Sequence, residues 1–128
     1  MKKYNVQNYV RYKLDVEARL KANKKHIVKD EGGNILYHHL TSEQMIIQFL
    51  PLVENLARKF STSQQASGVM DITDLIQEGN AGLTHAVGRI DKEKLLESED
   101  QEKTLKSFLA KRIKGAIRRG ININRGSI

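Results

Sequence analysis

The segment DITDLIQEGNAGLTHAVGRI, residues 71–90, decides the fold because it combines a helical period with two glycines in its interior. Its apolar residues recur every three or four positions, which predicts an amphipathic helix, and Asp71 stands where an N-cap is expected. Gly79 and Gly82 each cost about 0.5–1 kcal/mol relative to alanine inside a helix. We interpret them as points where a neighbouring helix packs closely.

The same segment carries a dense set of acidic and amide side chains without an interspersed lysine. A solvated helix face usually mixes lysine with acids, whereas an acidic surface on a basic protein suits a basic partner and suits DNA poorly. We therefore predict that this surface, here called the acidic-amide face, binds a protein. Its residues are Asp74, Gln77, Glu78 and Asn80.

The apolar spacing elsewhere predicts an all-α fold, a compact bundle of about four helices with short connections. A capping-box pattern at Thr41 and Gln44 marks the start of the second helix, and Pro51 inside that helix predicts a kink or a break. The predicted helices span residues 4–23, 41–60, 71–90 and about 103–119.

Three segments outside these helices carry turn or polar signals. Gly32, Gly33 and Asn34 lie between β-branched residues, which predicts a short hairpin or an ordered loop within residues 27–37. The acid-rich residues 91–102 are expected to form a polar hinge. Gly120 is expected to end the last helix, so that residues 121–128 leave as an extended tail.

Composition narrows the class of protein. The chain has 128 residues, a formal net charge of +7, a pI near 9.7 and no cysteine. The charge favours a polyanionic partner, and the absence of cysteine excludes a disulfide scaffold and cysteine-rich zinc sites. No apolar run approaches the roughly 18 residues of a membrane span, and no secretory signal is present. We expect a cytoplasmic protein that does not bind membranes.

Catalytic patterns are missing from the sequence. His38 and His39 are an isolated pair, whereas a metal site needs three or four converging ligands, and Gly32 and Gly33 are most simply a turn. We therefore expect no enzymatic activity, no small-molecule substrate, no metal ion and no cofactor.

The C-terminal part is basic, because residues 103–128 contain no acidic residue. Lys111, Lys114 and Arg118 stand at i, i+3 and i+7 and share one face of the predicted last helix. Such a face is either simply solvated or contacts nucleic-acid phosphates, and its freedom from acids favours phosphate contact. Arginines here can also read guanine edges.

Residues 42–128 resemble the second domain of bacterial sigma factors of the primary family. The resemblance is carried by PLVENLARKF, a polar loop, DLIQEGNAGLTHAVGRID and KSFLAKRIKGAIRR, in that order. The diagnostic string DLIQEGNxGL is complete from Asp74 to Leu83. We assign residues 41–128 to this domain. Residues 1–40, a basic helix and loop, show no such resemblance, and their role stays open.

The resemblance implies two partners, RNA polymerase core and promoter DNA. In the family, the DLIQEGN helix docks on the coiled-coil clamp helices of the largest catalytic subunit, so Asp74, Gln77, Glu78 and Asn80 would bind polymerase here. The following helix recognises and opens the −10 element with a row of aromatic side chains. The corresponding DNA-binding residues are predicted to be Lys106, Phe108, Lys111, Arg112, Lys114, Arg118 and Arg119.

The last helix departs from the family pattern in its aromatic residues. Phe108 stands at the place of a base-capturing aromatic, but Lys111 and Arg112 align with a tryptophan pair. Gly115 and Arg118 align with positions that read upstream base pairs. Stacking of a base on an aromatic ring is worth about 1–3 kcal/mol, so strand opening should be weaker and phosphate binding stronger than in housekeeping factors.

The function predicted from these observations is that of a sigma-like transcription initiation factor from a bacterium or a phage. No later promoter-binding domain is expected, because the chain ends at NRGSI, where the next one would start. A minimal sigma-like protein, a truncated chain and a polymerase-binding decoy all fit that ending. The alternative is therefore a clamp-binding regulator or decoy without promoter-specific initiation activity. A third possibility is a non-specific nucleic-acid-binding helical domain.

Overall fold

The computed structural model describes residues 6–62 and 70–126, and it is all-α in that range, as expected. Five α-helices occur there, one more than the sequence indicates. They are α1 (Val6–Asn23), α2 (Ser42–Ser61), α3 (Ile72–Val87), α4 (Lys92–Glu97) and α5 (Gln101–Gly126). Two short 3-10 turns, Lys24–His26 and Tyr37–His39, lie between α1 and α2.

Helix α3 lies at the centre of the bundle, because it packs against both α2 and α5. Its side chains Leu75, Ile76 and Leu83 are fully buried, as the helical period predicts. The first 40 residues also contribute to this core. Val16 of α1 is buried in it, and Tyr37 is buried with its ring stacked on Phe49 at 5.3 Å between centroids.

Helix α1 is fastened to α2 by polar contacts at both of its ends. Near its start, the Tyr9 hydroxyl donates to Oε2 of Glu54 at 3.1 Å, and Arg58 donates to the Tyr9 hydroxyl oxygen. At its end, the buried side chain of Asn23 donates through Nδ2 to Gln44 O and to Gln48 Oε1, both at 3.0 Å. These contacts fix the position of α1 on the bundle.

The start of α2 has the predicted capping box. Gln44 N donates to Oγ1 of Thr41 at 3.2 Å, and Thr41 N donates to Oε1 of Gln44 at 2.9 Å. Of the kink or break predicted at Pro51, the break does not occur, since α2 continues through this exposed residue to Ser61. Buried Leu50 and Val53 on either side hold the helix against the core despite the missing backbone donor.

The segment before Tyr37 is an ordered loop with one β-bridge rather than a ladder. Lys29 pairs with Ile35, and Leu36 N donates to Val28 O at 2.8 Å. Gly33 has a φ of 84°, a conformation that favours glycine at this turn. We call residues 27–36 the hairpin-like loop.

The predicted polar hinge contains helix α4. Asp91 caps it by accepting hydrogen bonds from the backbone N–H groups of Glu93 and Lys94. Leu95 is buried in the core, and Nζ of Lys92 donates to Leu40 O at 3.1 Å, so both contacts anchor α4.

The predicted end of the last helix at Gly120 is wrong. Helix α5 continues to Gly126, so residues 121–126 are helical rather than an extended tail, and residues 127–128 lie outside the described part. The helix continues because Ile121 is buried and extends the apolar stripe of Ile113 and Ile117 by one more turn. Asn124 Nδ2 also donates to Gly120 O at 2.8 Å.

Candidate interaction surfaces on helices α3 and α5

The acidic-amide face is only partly exposed in the structure. Gln77 is exposed, whereas Asp74, Glu78 and Asn80 are half-buried. Asp74, Gln77 and Glu78 stand three and four positions apart and therefore share one side of α3. Gln77 is thus the one exposed member of this face.

Asp74 also starts α3. Its Oδ2 accepts from Asp71 N at 3.3 Å, and its own N–H donates to Oδ1 of Asp71 at 2.9 Å. This reciprocal pair is a capping box in which Asp74 takes the N3 position. A substitution at Asp74 would therefore weaken the helix as well as any contact with a partner.

Glu78 lies against a glycine of α5. A Cβ added at Gly120 would stand 2.7 Å from Cγ and 2.9 Å from Cδ of Glu78. Gly120 thus leaves room for the Glu78 side chain to fold over α5. The carboxylate is positioned beside the C-terminal half of the basic helix rather than projecting freely from α3.

Asn80 is turned toward α1. Its Nδ2 donates to the Tyr12 hydroxyl oxygen at 3.2 Å, and its Oδ1 is buried without a hydrogen-bond partner among the described residues. Burial raises the pKa of Tyr12 above its ordinary value, and the hydrogen bond from Asn80 opposes this rise. Asn80 is therefore engaged by α1, whereas Gln77, three positions earlier, is exposed.

The two glycines of α3 admit two different neighbours. A Cβ at Gly79 would lie 2.7 Å from Cγ1 of Val53 in α2, and one at Gly82 would lie 2.6 Å from Cβ of Ala116 in α5. These distances are too short for real Cβ contacts, so alanine at either position would push the helices apart. The packing role predicted for Gly79 and Gly82 is confirmed.

The predicted DNA-binding side chains of α5 occupy several environments. The Arg112 guanidinium lies over the Phe108 ring at 4.9 Å, and the Arg118 guanidinium lies over Phe60 of α2 at 5.6 Å. Phe108 and Lys114 are half-buried, and the other five of these side chains are exposed. The exposed residues are Lys106, Lys111, Arg112, Arg118 and Arg119.

Lys106 differs from the other basic residues because it has an acidic neighbour on its own helix. Its Nζ lies 3.3 Å from Oε1 of Glu102, one turn earlier. The structure therefore pairs this cation with a carboxylate.

Phe108 forms one wall of a largely apolar pocket of about 270 Å³ between α5 on one side and α4 with the segment that precedes it on the other. Leu95 and Leu105 provide further apolar surface, and the charged lining consists of Arg89, Lys94 and one acid, Asp91. Sequence reasoning missed Arg89 and Lys94 because they precede the acid-free segment. The only sequence signal for them is their closeness to a predicted helix end.

A second groove lies between α3 and α5, with a volume of about 500 Å³. Gly82, Gly115 and Gly120 give it a surface without side chains, while cationic residues and Glu78 line it. It joins the acidic-amide face to the basic face of α5. Its lining includes His85 and three cationic side chains, Lys111, Arg112 and Arg119.

The described residues offer no site for a metal ion, since they contain no group of three or more suitable His, Asp or Glu side chains. His38 and His39 have ring centroids 4.3 Å apart, and Nδ1 of His38 lies 2.9 Å from Nε2 of Gln101 in α5. The His38 contact therefore serves to hold the loop before α2 against α5. Among these same residues, no helix is both long enough and apolar enough to span a membrane.

Comparison with known protein families gives a match over most of the helical bundle. Residues 45–125 match the family model described as Sigma-70 region 2. The match begins in α2, contains all of α3 and α4, and ends near the end of α5. Neither the curated proteins nor the solved structures give a significant match.

Proposed function

The chain belongs to the sigma-70 region 2 family, and from this premise we propose that it is a transcription initiation subunit that binds RNA polymerase core and promoter −10 DNA. Helix α3 would bind the clamp helices of the largest polymerase subunit, and α5 would bind the promoter. The protein would perform no chemistry itself, because the polymerase supplies the catalytic site. It would act in the bacterial cytoplasm, where the polymerase works.

The observation that carries this proposal is the matched helix α3, which holds DLIQEGNAGL complete and presents Gln77 to solvent. Asp74 and Glu78 lie on the same side, so a basic helix approaching Gln77 would meet both carboxylates. For Asn80, contact with polymerase would require its hydrogen bond with Tyr12 to break, so its predicted role depends on movement of α1.

The DNA-binding half of the proposal is supported by the arrangement around Phe108. A half-buried aromatic ring beside an apolar pocket of about 270 Å³ is suited to stacking with an unpaired base. Arg112 already covers part of this ring, so a base must either displace the guanidinium or stack beside it. Exposed Lys111 and Arg119 would hold the phosphates nearby.

Polymerase binding can be tested at Gln77 without disturbing the fold, since this side chain is exposed and takes no part in the cap of α3. Gln77→Arg places a positive charge where a basic partner is expected, and it should weaken binding to purified core polymerase about tenfold or more. Gln7→Arg is the matched control, because Gln7 is an exposed glutamine on α1.

The double substitution Gln77→Ala with Glu78→Lys should weaken binding further. Its thermal unfolding must be measured in parallel, since Glu78 packs on Gly120. If the Gln77→Arg variant binds core polymerase with wild-type affinity, the proposed interface is wrong.

The replacement of an aromatic pair by Lys111 and Arg112 favours a second candidate, a regulator that occupies the clamp helices without initiating transcription. Both candidates bind polymerase, so transcription must separate them. Run-off transcription with core enzyme and a library of promoter fragments should give transcripts with defined starts if the chain is an initiation factor. A regulator would give none and would inhibit transcription by a competing sigma factor.

A further inference from the structure

A groove of about 520 Å³ lies where the end of α1 meets the hairpin-like loop and α2. Its lining contains three half-buried aliphatic side chains, Leu20, Ile27 and Ile35, together with exposed Lys24 and Lys29. No residue of α3 or α5 lines it within the described part of the chain. The groove is therefore distinct from the two surfaces considered above.

Positive charge is concentrated beside this groove. Lys21 and Lys25 are exposed next to Lys24, and none of the lysines from 21 to 29 forms a salt bridge with a described residue. The nearest acid on the loop, Asp30, is engaged locally, since its Oδ1 accepts from Asn34 N at 2.9 Å. The lysines are thus free to pair with an acidic ligand.

The groove is held in place by contacts on each side. Asn23 ties the end of α1 to α2 through Gln44 and Gln48, and Gln48 itself lines the groove. Lys29 and Ile35 are paired across the hairpin-like loop, so their side chains lie on the same face of it. A ligand would therefore meet a surface that needs little ordering on binding.

We propose that this groove binds an acidic segment of a partner protein that carries at least one aliphatic anchor residue. The anchor would cover Leu20, Ile27 and Ile35, and carboxylates beside it would pair with Lys24 and Lys29. A nucleic-acid backbone would use the lysines but leave the aliphatic surface uncovered, whereas an acidic peptide with an apolar side chain uses both.

The polarity of this groove also distinguishes its partner from the partner of α3. The acidic-amide face requires a basic partner, while the lysine-lined groove requires an acidic one. One helix of uniform charge cannot satisfy both. The groove would therefore bind a different protein, or a different segment of the same assembly, and it does not depend on the function proposed for α3 and α5.

Fluorescence anisotropy with the full chain can test this inference with three labelled probes. The first is an acidic peptide that alternates glutamate and leucine, the second has serine in place of each leucine, and the third is a single-stranded DNA oligonucleotide. The leucine peptide should bind saturably, and the serine peptide should bind about tenfold more weakly because it lacks the anchor.

The protein variants assign the binding to the groove. Lys24→Glu with Lys29→Glu should weaken binding of the leucine peptide about tenfold, since two attractive contacts become repulsive. Ile35→Ala should also weaken binding of the leucine peptide, although it leaves the charge of the groove unchanged. The matched control is Lys59→Glu with Lys103→Glu, which reverses two exposed lysines on α2 and α5 and should leave peptide affinity unchanged.

Three results would overturn the inference. They are absence of saturable peptide binding, equal affinity for the leucine and serine peptides, and wild-type affinity of the Lys24/Lys29 variant for the leucine peptide. If the Lys24/Lys29 variant loses more affinity for the DNA oligonucleotide than for the leucine peptide, the lysines bind phosphates and the inference is also wrong.

Discussion

Asn80 of α3 donates a hydrogen bond to the hydroxyl of Tyr12 in α1, with 3.2 Å between Nδ2 and the phenolic oxygen. This contact joins residues 68 positions apart in the sequence. It links the first helix, which lies outside the Sigma-70 region 2 match, to the helix that carries the family's diagnostic string. The N-terminal helix is thereby attached to the proposed polymerase-binding helix about one turn beyond Gln77.

Tyr12→Phe removes this hydrogen bond and leaves both polar groups of the half-buried Asn80 amide without a described protein partner. The expected cost is about 1–2 kcal/mol in the free energy of unfolding. Urea denaturation of the wild type, Tyr12→Phe, Asn80→Ala and the double variant measures the coupling between the two residues. Additive effects of the two substitutions would contradict an energetic link between α1 and α3.

Two glycines of the α3–α5 pair should respond to alanine in opposite directions. Gly82→Ala would place a methyl group 2.6 Å from Cβ of Ala116 and should destabilise the fold by about 1–3 kcal/mol. At Gly115 an added Cβ meets nothing within 4 Å, so Gly115→Ala should stabilise α5 by about 0.5–1 kcal/mol. Denaturant midpoints measure both, and a stabilising Gly82→Ala would refute the close packing of α3 on α5.

The sequence predicts the starts of α2 and α3 well, because the capping contacts there are local. Thr41 and Gln44 contact each other three residues apart, so the signal for the start of α2 is complete within one turn. The buried stripes of α2 and α3 are predicted for a similar reason, since their period is visible along the chain. The packing role of Gly79 and Gly82 follows from their unfavourable position inside a helix.

Features that depend on distant residues could not be predicted in this way. A glycine such as Gly120 commonly marks the C-terminal end of a helix. Here α5 continues past it because Ile121 is buried in the core. The sequence pattern also groups Asn80 with Gln77, whereas the position of α1 turns Asn80 toward Tyr12. Helices α1, α2 and α3, the core of α5 and the exposed Gln77 are thus predictable, while α4, the end of α5 and the internal contacts of the other acidic-amide residues are not.

Tyr37 should make the fold less stable at alkaline pH. Burial, assisted by the nearby charges of Glu102 and Asp100, raises its pKa to about 12 from an ordinary value of 10.0. Below pH 10 the folded and unfolded states both keep the proton, so this contribution to stability is fully present. As the pH rises toward about 12, the unfolded state releases its proton first and stability is lost.

Tyr37→Phe keeps the ring that stacks on Phe49 and removes the titrating hydroxyl. The loss of stability between about pH 10 and pH 12 should therefore be smaller in this variant than in the wild type. Urea unfolding across that pH range measures the difference. Parallel stability profiles for the two proteins would show that Tyr37 does not titrate differently on unfolding.

The basic residues of α5 should contribute unequally to DNA binding. Lys111 and Arg119 are exposed beside the α3–α5 groove, whereas Nζ of Lys106 is paired with Glu102 at 3.3 Å. The association constant for DNA falls as the salt concentration rises. Substitution of Lys111 or Arg119 by Gln should reduce the steepness of log association constant against log salt by about 1, as expected for one lost phosphate contact. Lys106→Gln should change it less, and a larger effect at Lys106 would contradict the assignment of the DNA-binding face.

Phe108 should matter for strand opening more than for folding. Phe108→Leu preserves an apolar side chain beside Leu95 and Leu105 but removes the ring on which a base can stack. Binding of the polymerase complex to single-stranded −10 DNA should weaken by about 1–3 kcal/mol, roughly 5- to 150-fold. Fluorescence of a base analogue placed in the −10 element would report opening directly.

The matched control is Phe60→Leu, because Phe60 is also half-buried and also lies beneath an arginine, Arg118, but belongs to α2. It should leave opening nearly unchanged while costing similar stability. If the two substitutions impair opening equally, the ring of Phe108 has no specific role in capturing a base. The remaining affinity for single-stranded DNA would then come from the phosphate contacts of the α5 basic residues.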